Sequence, residues 1–338
     1  MRKIRFGVVG CGHIGRRHIA VIEAESQAEM VAICDVDQQV LQKLSADYPQ
    51  VISYTNYERM LAEAAIDIIC ICTPHGLHSI MSIQAAYAKK HILVEKPMAL
   101  TCLESERMIQ AAEENGVSLY VVKQNRYNAP ILLTKRTLDE GRLGRVFMVQ
   151  CNVMWNRHDA YYEQSPWRGK KHLEGGALQT QVSHFLDLLV WWFGNIQEAK
   201  TIIDTLNHDI EIEDCGVSAL RFESGTIGSL LWTTCVYNVN YEGSITIIGE
   251  KGTIKIGGKY LNKIEFWDVM SYPMPEDIDF DDAPNQYGTY QGSSSNHDKL
   301  IHSLAEQIID SRKGVVEGDE GLKTIQAIEK IYGQAEAK

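Results

Sequence analysis

The residues with the clearest chemical potential are a glycine-rich segment, GCGHIG over 10–15, that directly follows an apolar run. Glycines let the backbone turn tightly and approach a pyrophosphate, whose charge faces the amide-rich start of the helix that follows. A second apolar run ends at Asp35, whose carboxylate suits ribose hydroxyl groups and repels a 2′-phosphate. This order of strand, glycine turn, helix, strand and acid predicts a site for NAD rather than NADP. The predicted cofactor contacts here are Gly10, Gly12, His13, Ile14, Gly15 and Asp35.

Two further loops follow apolar runs that end at Cys72 and Val94, where a doubly wound sheet presents its ligands. The first loop suits a turn over the nicotinamide-side ribose, although His78 fits equally well as a capping or packing residue of the next helix. The second places Lys96 between an acid and a proline, which is unusual for a merely solvated charge. The two loops add Thr73, Pro74, His75, His78, Glu95 and Lys96 to the predicted cofactor contacts.

A third segment with chemical potential begins at Glu174-Gly175-Gly176 and continues into an apolar-periodic helix over 179–193. This helix carries His184. A histidine on such a helix is more often a satisfied core residue than a catalyst. The two glycines shift that balance, because they permit a ligand to approach the backbone closely. His184 is therefore a candidate for contact with a substrate.

Basic side chains lie near these segments, although the chain as a whole is acidic, with a net charge of −11. Arginine presents a planar fork of donors that suits diphosphates and carboxylates, so the cluster predicts an anionic substrate. Its members are Lys96, Lys123, Arg126, Arg157, Arg168, Lys170 and Lys171. Lys170 and Lys171 fit better as an exposed basic loop, whereas Arg168 lies between Trp167 and a glycine and favours a functional role.

The elements that must position these residues divide the 338-residue chain in two. Apolar runs alternate with helical stretches over 1–123, which predicts an α/β Rossmann dinucleotide-binding domain. Long runs that alternate apolar and polar residues follow, so 124–338 is predicted to be an α+β domain with a large, mostly antiparallel, open-faced sheet. A loop over 270–295, rich in Pro, Asp, Gly and Ser, is expected to be mobile, and two amphipathic helices end the chain.

Bulk composition excludes several classes of protein. With 33 basic against 44 acidic residues, the chain is not expected to bind nucleic acid or anionic membranes. There is no apolar run near 20 residues, and the first residues enter a strand at once, so a cytoplasmic protein is expected. The eight cysteines form no C-x-x-C pair, which favours packing over disulfides or metal ligation, and no metal is predicted.

The order GCGHIG, Asp35, EKP over 95–97 and EGGALQTQVSH over 174–184 resembles the Gfo/Idh/MocA oxidoreductases across essentially the whole chain. The resemblance implies that Lys96 lies beside the substrate and the nicotinamide, and that His184 contacts the reacting hydroxyl group. Many members carry an aspartate four residues before this histidine. Thr180 stands at that position here, so a proton relay through a carboxylate is not implied.

Segments 122–128, 161–169 and 242–253 are similar to the bacterial sugar-nucleotide 3-dehydrogenases of this family. Those enzymes oxidise UDP-N-acetylglucosaminuronic acid (UDP-GlcNAcA) at C3 during the synthesis of surface polysaccharides such as lipopolysaccharide. The resemblance implies a homo-oligomer, expected to be a tetramer. Some relatives release NADH, whereas others reoxidise it in place with a keto acid such as 2-oxoglutarate. The remaining implied contacts are Gln124, Arg126, Trp167 and Arg168 for the cofactor, and Lys96, Lys123, Asn125, Arg157, Tyr161, Thr180 and His184 for the substrate.

Three questions stay open on the sequence. A dehydrogenase of a free sugar or polyol, such as inositol or glucose, would keep the fold, although the basic cluster and Thr180 argue against it. A non-catalytic NAD-binding regulator is a third reading, since the family includes a transcriptional co-repressor. The presence of both Lys96 and His184 argues against that reading. Either of these two residues could be the base, with the other positioning the hydroxyl group.

Overall fold

The computed structural model of the chain describes residues 3–276, 278, 284–286, 291–310 and 314–336. The chain forms two compact units, the first from Met1–Lys123 and His297–Ile325, and the second from Gln124–Asn296 and Gln326–Lys338. The sequence placed all of 124–338 in one domain. The difference arises because the amphipathic helix that begins at His297 packs against the first helix of the chain, a pairing that the pattern of its own residues does not encode.

The first unit is built on a six-stranded parallel sheet. Its strands are β1 (Ile4–Val9), β2 (Ala28–Cys34), β3 (Ile52–Tyr54), β4 (Ile68–Ile71), β5 (His91–Val94) and β6 (Leu119–Val121). They lie in the order β3-β2-β1-β4-β5-β6, and every neighbouring pair is parallel. All four residues of β4 are buried, as its apolar run predicted. The order confirms the predicted Rossmann fold, in which ligands bind where the strand order reverses, between β1 and β4.

Helices connect these strands: α1 (His13–Ala24), α2 (Gln38–Asp47), α3 (Tyr57–Glu63), α4 (His78–Tyr87) and α5 (Cys102–Asn115). Local side chains set their ends. The Asp37 carboxylate accepts a hydrogen bond from the amide of Gln39 at 2.8 Å and caps α2. Thr101 and Glu104 form a capping box at the start of α5, and Gly116 ends that helix with a φ of +66°. A 3₁₀ turn over His75–Leu77 precedes α4.

Among the described residues, the helices that lie wholly in the second unit are α6 (Ala129–Asp139), α7 (Asp159–Glu163), α8 (Lys171–Glu174) and α9 (Ser183–Phe193). A 3₁₀ turn over Gln124–Tyr127 precedes α6. The predicted helix over 179–193 has an irregular first turn, because Leu178–Val182 is a π-helical segment and α9 begins at Ser183. Single π-helical turns inside helices occur frequently at functional sites.

The main sheet of the second unit uses β7 (Val146–Met154), β8 (Ile196–Asp204), β9 (Cys215–Phe222), β10 (Ile227–Thr233), β11 (Glu242–Gly249), β12 (Gly252–Gly257) and β13 (Lys263–Val269). Two short strands follow, β14 (Pro284–Gln286) and β15 (Gln291–Ser294). The last described elements are α10 (His297–Asp310), α11 (Gly318–Tyr332) and the two-residue strand β16 (Ala335–Glu336). The eight strands lie in the order β13-β12-β11-β7-β10-β9-β8-β16. The pairs β7–β10 and β8–β16 are parallel and the others antiparallel, which confirms the mostly antiparallel sheet.

One face of this sheet is buried and the other is exposed. Burial alternates residue by residue along β9, as the apolar and polar alternation predicted. On the exposed face, Met148 lies between its register partners Ile227 and Ile248, and Val217 is paired with Ile202. These side chains are 39% to 66% exposed in the single chain.

The loop predicted over 270–295 lies partly outside the described residues. Within it, β14 and β15 pair in antiparallel register. Among the helices of the described residues, none combines the length and the apolar character needed to span a bilayer.

Candidate functional site

The glycine turn after β1 has the geometry of a phosphate-binding turn. Gly10 adopts a φ of +83°, and a Cβ on Gly15 would lie 1.9 Å from the carbonyl oxygen of Gly10. Both positions therefore need glycine for the backbone itself. Gly12 differs, because no atom of the described residues lies within 4 Å of a Cβ placed on it. The backbone beside Gly12, at the start of α1, is thus open to the close approach of a pyrophosphate, and the chain fits the dinucleotide that the motif implies.

Asp35, at the end of β2, is held against this turn. Its Oδ2 atom accepts a hydrogen bond from the amide of Cys11 at 2.7 Å, and its Oδ1 atom accepts one from the amide of Asp37 at 2.9 Å. Two backbone donors fix the carboxylate at the carboxyl end of the strand, beside the glycine turn. This is the position from which an acid contacts the adenine-side ribose of NAD.

The loop after β4 carries a polar group suited to a ligand. The Thr73 hydroxyl is buried and has no hydrogen-bond partner among the described residues. The nearby His78 side chain is fully buried, with Nε2 lying 2.9 Å from the carbonyl oxygen of Thr73 and Nδ1 lying 2.8 Å from that of Pro97. His78 therefore connects the loop after β4 to the loop after β5. This agrees with the packing role that the sequence allowed for it beside a cofactor contact. Burial lowers its pKa, and His75 packs beside it with ring centroids 5.5 Å apart.

Glu95, after β5, is the anchor of the EKP segment. Its Oε1 atom lies 2.8 Å from Nε2 of His18 and 3.5 Å from Nε2 of His297, and its Oε2 atom accepts a hydrogen bond from the Lys96 amide at 3.1 Å. Burial alone would raise the pKa of Glu95, but the two histidines hold it well below its usual range. An ionised, fully enclosed carboxylate therefore fixes the backbone of Lys96. The sequence predicted Glu95 as a site residue but not its contacts with His18 and His297.

Lys123, at the end of the first unit's continuous segment, has a partner within that unit. It is only 4% exposed, and its ammonium donates a hydrogen bond to the Thr324 hydroxyl at 3.0 Å. The sequence predicted a substrate contact at Lys123. The bond to α11 gives this ammonium a role in holding the end of the chain against the Rossmann unit.

In the second unit, the 3₁₀ turn over Gln124–Tyr127 buries Gln124 and Asn125. Arg126 donates two hydrogen bonds to the Asp187 carboxylate, from Nε at 2.8 Å and from a terminal nitrogen at 2.9 Å. This is the bidentate geometry that makes an arginine–carboxylate pair specific. Its consequence is to tie the turn to α9, one turn beyond His184.

The structure brings the predicted residues Arg157, Tyr161, Trp167 and Arg168 together. Two guanidinium groups lie against the Tyr161 ring, with the Cζ atom of Arg168 3.9 Å and that of Arg157 5.2 Å from its centroid. Arg168 also lies 5.7 Å from the Trp167 ring and donates a hydrogen bond to the carbonyl oxygen of Tyr161 at 2.9 Å. Two cations held against one aromatic ring create a positive potential that favours an anionic ligand.

His184 and Thr180 lie at the junction of the π-helical segment and α9. His184 is 6% exposed, and Thr180 precedes it by four residues on the same helical stretch. The fully buried Glu174 accepts a hydrogen bond from the amide of Gly169, and the Thr180 hydroxyl interacts with the same carboxyl group. Burial raises the pKa of Glu174 despite these bonds. The sequence pattern marked Glu174 only as the residue before the two glycines. The structure shows that its carboxyl group lies next to Thr180.

Glu213 is a second buried carboxyl group, and the sequence reasoning missed it. Its Oε1 atom accepts hydrogen bonds from the amide of Leu178 at 2.8 Å and from the Tyr332 hydroxyl at 2.7 Å. Gly176 lies against Glu213 and Tyr332, and a Cβ on it would come within 2.0 Å of the Tyr332 hydroxyl. Burial raises the pKa of Glu213 to about 7, against the effect of these two bonds. Its position in a segment rich in acids offered no sequence signal of burial.

Replacing Glu213 with glutamine should change the pH dependence of stability. The raised pKa means that the wild-type folded state keeps Glu213 protonated while the unfolded chain ionises, so this stabilising contribution is lost between about pH 4.5 and pH 7. Glutamine does not titrate and keeps an acceptor for Leu178 and Tyr332. The difference in free energy of unfolding between Glu213→Gln and wild type should grow by about 2–3 kcal/mol in favour of the variant over that range.

Urea denaturation at a series of pH values measures this difference. Glu211→Gln, an exposed position two residues away, is the matched control and should show no such trend. A difference for Glu213→Gln that does not vary with pH would mean that the carboxyl group is ionised throughout.

Two family models match the chain. The first is described as an oxidoreductase family with an NAD-binding Rossmann fold, and it matches residues 4–123. The second is described as a GFO/IDH/MocA C-terminal domain, and it matches residues 131–255. The two matches together span more than half of the chain.

Similar solved structures extend over nearly all of it. The WlbA dehydrogenase from Bordetella pertussis, solved in complex with NADH and UDP-GlcNAcA, is 38% identical, with a TM-score of 0.90, covering 98% of this chain and 96% of that chain. The WlbA dehydrogenase from Chromobacterium violaceum, in complex with the same two molecules, is 35% identical, with a TM-score of 0.91, covering 99% and 94%. Among curated relatives, 1-carboxy-3-chloro-3,4-dihydroxycyclohexa-1,5-diene dehydrogenase from Comamonas testosteroni is 27% identical over 254 residues. That alignment covers 73% of this chain and 63% of the relative, less than two thirds of its length.

Proposed function

Because this chain belongs to the Gfo/Idh/MocA family of NAD-dependent oxidoreductases, we propose that it oxidises the C3 hydroxyl group of UDP-GlcNAcA to the 3-keto sugar. The observation that carries the proposal is the similarity to the Bordetella dehydrogenase, which is 38% identical along almost its whole length and was solved with this sugar nucleotide. A second protein of the same name and ligands supports it at 35% identity.

The charges of the second unit support an anionic sugar nucleotide over a neutral sugar. Arg157 and Arg168 lie against the Tyr161 ring, and both guanidinium groups are largely buried in an otherwise acidic chain. UDP-GlcNAcA carries a diphosphate and a carboxylate, which are the groups that arginine binds best. A free polyol such as inositol offers no charge to balance these cations.

In the proposed reaction, His184 takes the proton of the C3 hydroxyl group. A base with a near-neutral pKa suits this role, since removing hydride makes the carbon electron-poor and the proton must leave with it or earlier. The Lys96 ammonium stabilises the negative charge that develops on the oxygen. Bound NAD supplies the acceptor for the hydride. Glu95 serves this chemistry indirectly, because it fixes the amide of Lys96 and so limits the positions that the ammonium samples.

The direct test mixes the protein as purified, without added cofactor, with UDP-GlcNAcA while its near-ultraviolet absorbance is recorded. The expected result is an NADH band, which requires a bound oxidised cofactor and turnover of this substrate. Absence of the band after NAD is added, with substrate binding confirmed, would reject the proposal in favour of a free sugar or a regulatory role. Loss of the band on adding 2-oxoglutarate would identify in-place reoxidation by a keto acid; a stable band would identify NADH release.

We also propose that Asp35 sets the preference for NAD. The Asp35→Ala and Asp35→Asn variants both remove the charge that repels a 2′-phosphate, so each should bring the kcat/KM for NADP closer to that for NAD. Asp35→Asn keeps a carbonyl acceptor for the amide of Cys11 or Asp37, which controls for damage to the turn. Steady-state kinetics with both dinucleotides measures the ratio, and an unchanged ratio would mean that Asp35 does not face the ribose.

The exposed sheet face supports the proposal of a homo-oligomer. Exposed apolar side chains form two groups there, Met148 with Ile227 and Ile248, and Val217 with Ile202, and exposed apolar surface supports an interface. We expect a tetramer by sedimentation velocity, and a monomer at micromolar concentration would contradict it.

A further inference from the structure

Three side chains with metal-ligand atoms, His208, Asp214 and Cys235, converge in the second unit, and a fourth, Cys215, lies beside Cys235. His208 lies in the loop after β8, Asp214 ends that loop, Cys215 opens β9 and Cys235 follows β10. Nδ1 of His208 lies 3.0 Å from Oδ2 of Asp214 and 3.9 Å from Sγ of Cys235. The Sγ atoms of Cys215 and Cys235 are 3.7 Å apart. The ligand atoms of His208, Asp214 and Cys235 all lie within 4.8 Å of one another.

The donor types and spacings match those of a zinc site. Zinc in proteins is bound tetrahedrally by thiolates at about 2.3 Å and imidazoles at about 2.0–2.1 Å. Tetrahedral angles then place two thiolate sulfurs about 3.8 Å apart and a sulfur about 3.6 Å from an imidazole nitrogen. The observed separations of 3.7 Å and 3.9 Å differ from these values by a few tenths of an ångström. We propose that His208, Asp214 and Cys235 bind a zinc ion, with the thiol of Cys215 next to that of Cys235.

The surroundings of Asp214 hold the carboxylate in place for such an ion. Its Oδ1 atom accepts a hydrogen bond from the amide of Leu206 at 2.8 Å, and its Oδ2 atom accepts bonds from the amides of Asn207 at 2.9 Å and His208 at 3.0 Å. Supporting bonds of this kind orient the carboxylate ligands of metal sites. The ion would take the place of the proton that His208 shares with Asp214, so the imidazole need not leave its position.

A cation at this point would stabilise the thiolate forms of Cys215 and Cys235. Burial, together with the Asp214 charge, raises the pKa of the Cys235 thiol to about 12, and burial also raises the pKa of Cys215. A bound metal deprotonates a coordinating thiol outright and neutralises the resulting charge.

The ion would have a structural task, because the cluster supports the segment that carries Tyr161. The His208 ring packs against Tyr162 with centroids 5.0 Å apart, and the Tyr162 hydroxyl lies 3.2 Å from that of Thr234. In the same loop as His208, the amide of Glu211 donates a hydrogen bond to the carbonyl oxygen of Gly169 at 2.9 Å. Fixing this loop fixes both ends of the Tyr161–Arg168 segment. The sequence predicted no metal, because the spacing of these four residues matches no local metal motif.

The experiment titrates the reduced, metal-stripped, full-length protein under argon with Zn²⁺ against a chromophoric chelator, and separately with Co²⁺. We expect one ion per chain, with the visible absorption of tetrahedral Co²⁺ and an ultraviolet thiolate-to-cobalt band. Cys235→Ser and His208→Gln should each weaken Zn²⁺ binding by at least ~100-fold, since losing a ligand costs no less than losing a supporting partner. Cys102→Ser, a half-buried cysteine of the first unit, is the matched control and should bind as wild type does.

Two results would overturn the proposal. One is Zn²⁺ affinity that is absent in wild type or equal in wild type, Cys235→Ser and His208→Gln. The other is a Co²⁺ spectrum of the reduced protein without the thiolate band. Near-ultraviolet circular dichroism establishes that each variant is folded, and two independent ligand variants keep the test decisive if one of them is not.

Discussion

Lys96→Ala and His184→Ala should each slow the chemical step by about two to four decades, while the affinity for NAD stays largely intact. The Lys96 variant removes only the ammonium, because the Lys96 amide retains its bond to Glu95 and the turn is preserved. Removing His184 takes away the proposed base. His184→Asn serves as a second variant that keeps a polar side chain in the buried position.

Single-turnover formation of NADH measures the step directly. A C3-deuterated substrate should show a larger isotope effect in both variants, because hydride transfer becomes the slow step. The variant that removes the base should also lose the rise of the rate with pH on the acid side, which separates the two possible assignments of base and stabiliser. Lys251→Ala and His172→Ala, at exposed positions, are the controls. Near-normal turnover in both Lys96→Ala and His184→Ala would reject this site.

Gly12→Ala should weaken cofactor binding without unfolding the protein. The alanine Cβ meets no described atom within 4 Å, and the φ of −67° at Gly12 suits any residue, so the fold should be unaffected. The added methyl group occupies the space through which a pyrophosphate approaches the backbone. Affinity for NAD should fall by about 10- to 100-fold, equivalent to the ~1–3 kcal/mol that one overpacked group costs.

Gly15→Ala is the informative partner of that variant. Its Cβ would lie 1.9 Å from the carbonyl oxygen of Gly10, so the helix and the turn must move apart and the folded state itself is destabilised. Calorimetry of NAD binding and thermal unfolding of both variants test the pair. Equal loss of thermal stability in Gly12→Ala and Gly15→Ala would show that Gly12 also serves the fold alone.

Sequence patterns predicted those features of the fold that depend on neighbours along the chain. The apolar run at 68–71 is a fully buried strand, because a strand covered on both faces needs apolar residues at every position. The alternation over Cys215–Phe222 is a strand with one buried face, because successive side chains point to opposite faces of the sheet. The glycine turn and the position of Asp35 were also predicted from the sequence, since the strand, the turn and the helix follow each other without interruption.

Contacts between distant segments could not be read in this way. His297 packs on Glu95 from 202 positions further along the chain, and Thr324 binds Lys123 from 201 positions further. An amphipathic pattern indicates that a helix buries one face but not which surface covers it. The burial of the Glu174 and Glu213 carboxyl groups was not predicted, because it depends on side chains from distant parts of the chain.

The return of the chain to its first unit has a consequence for how the protein is synthesised. The Rossmann sheet is complete after Val121. His297, which contacts Glu95, and Thr324, whose hydroxyl accepts a hydrogen bond from the Lys123 ammonium, are translated only near the end of the message. A ribosome-bound chain therefore holds the Glu95 carboxylate and the Lys123 ammonium in a nascent core from which His297 and Thr324 are still missing. Folding of this protein cannot proceed strictly one domain after the other from the amino terminus, as it does in most multidomain chains, and the last segment must close the first unit.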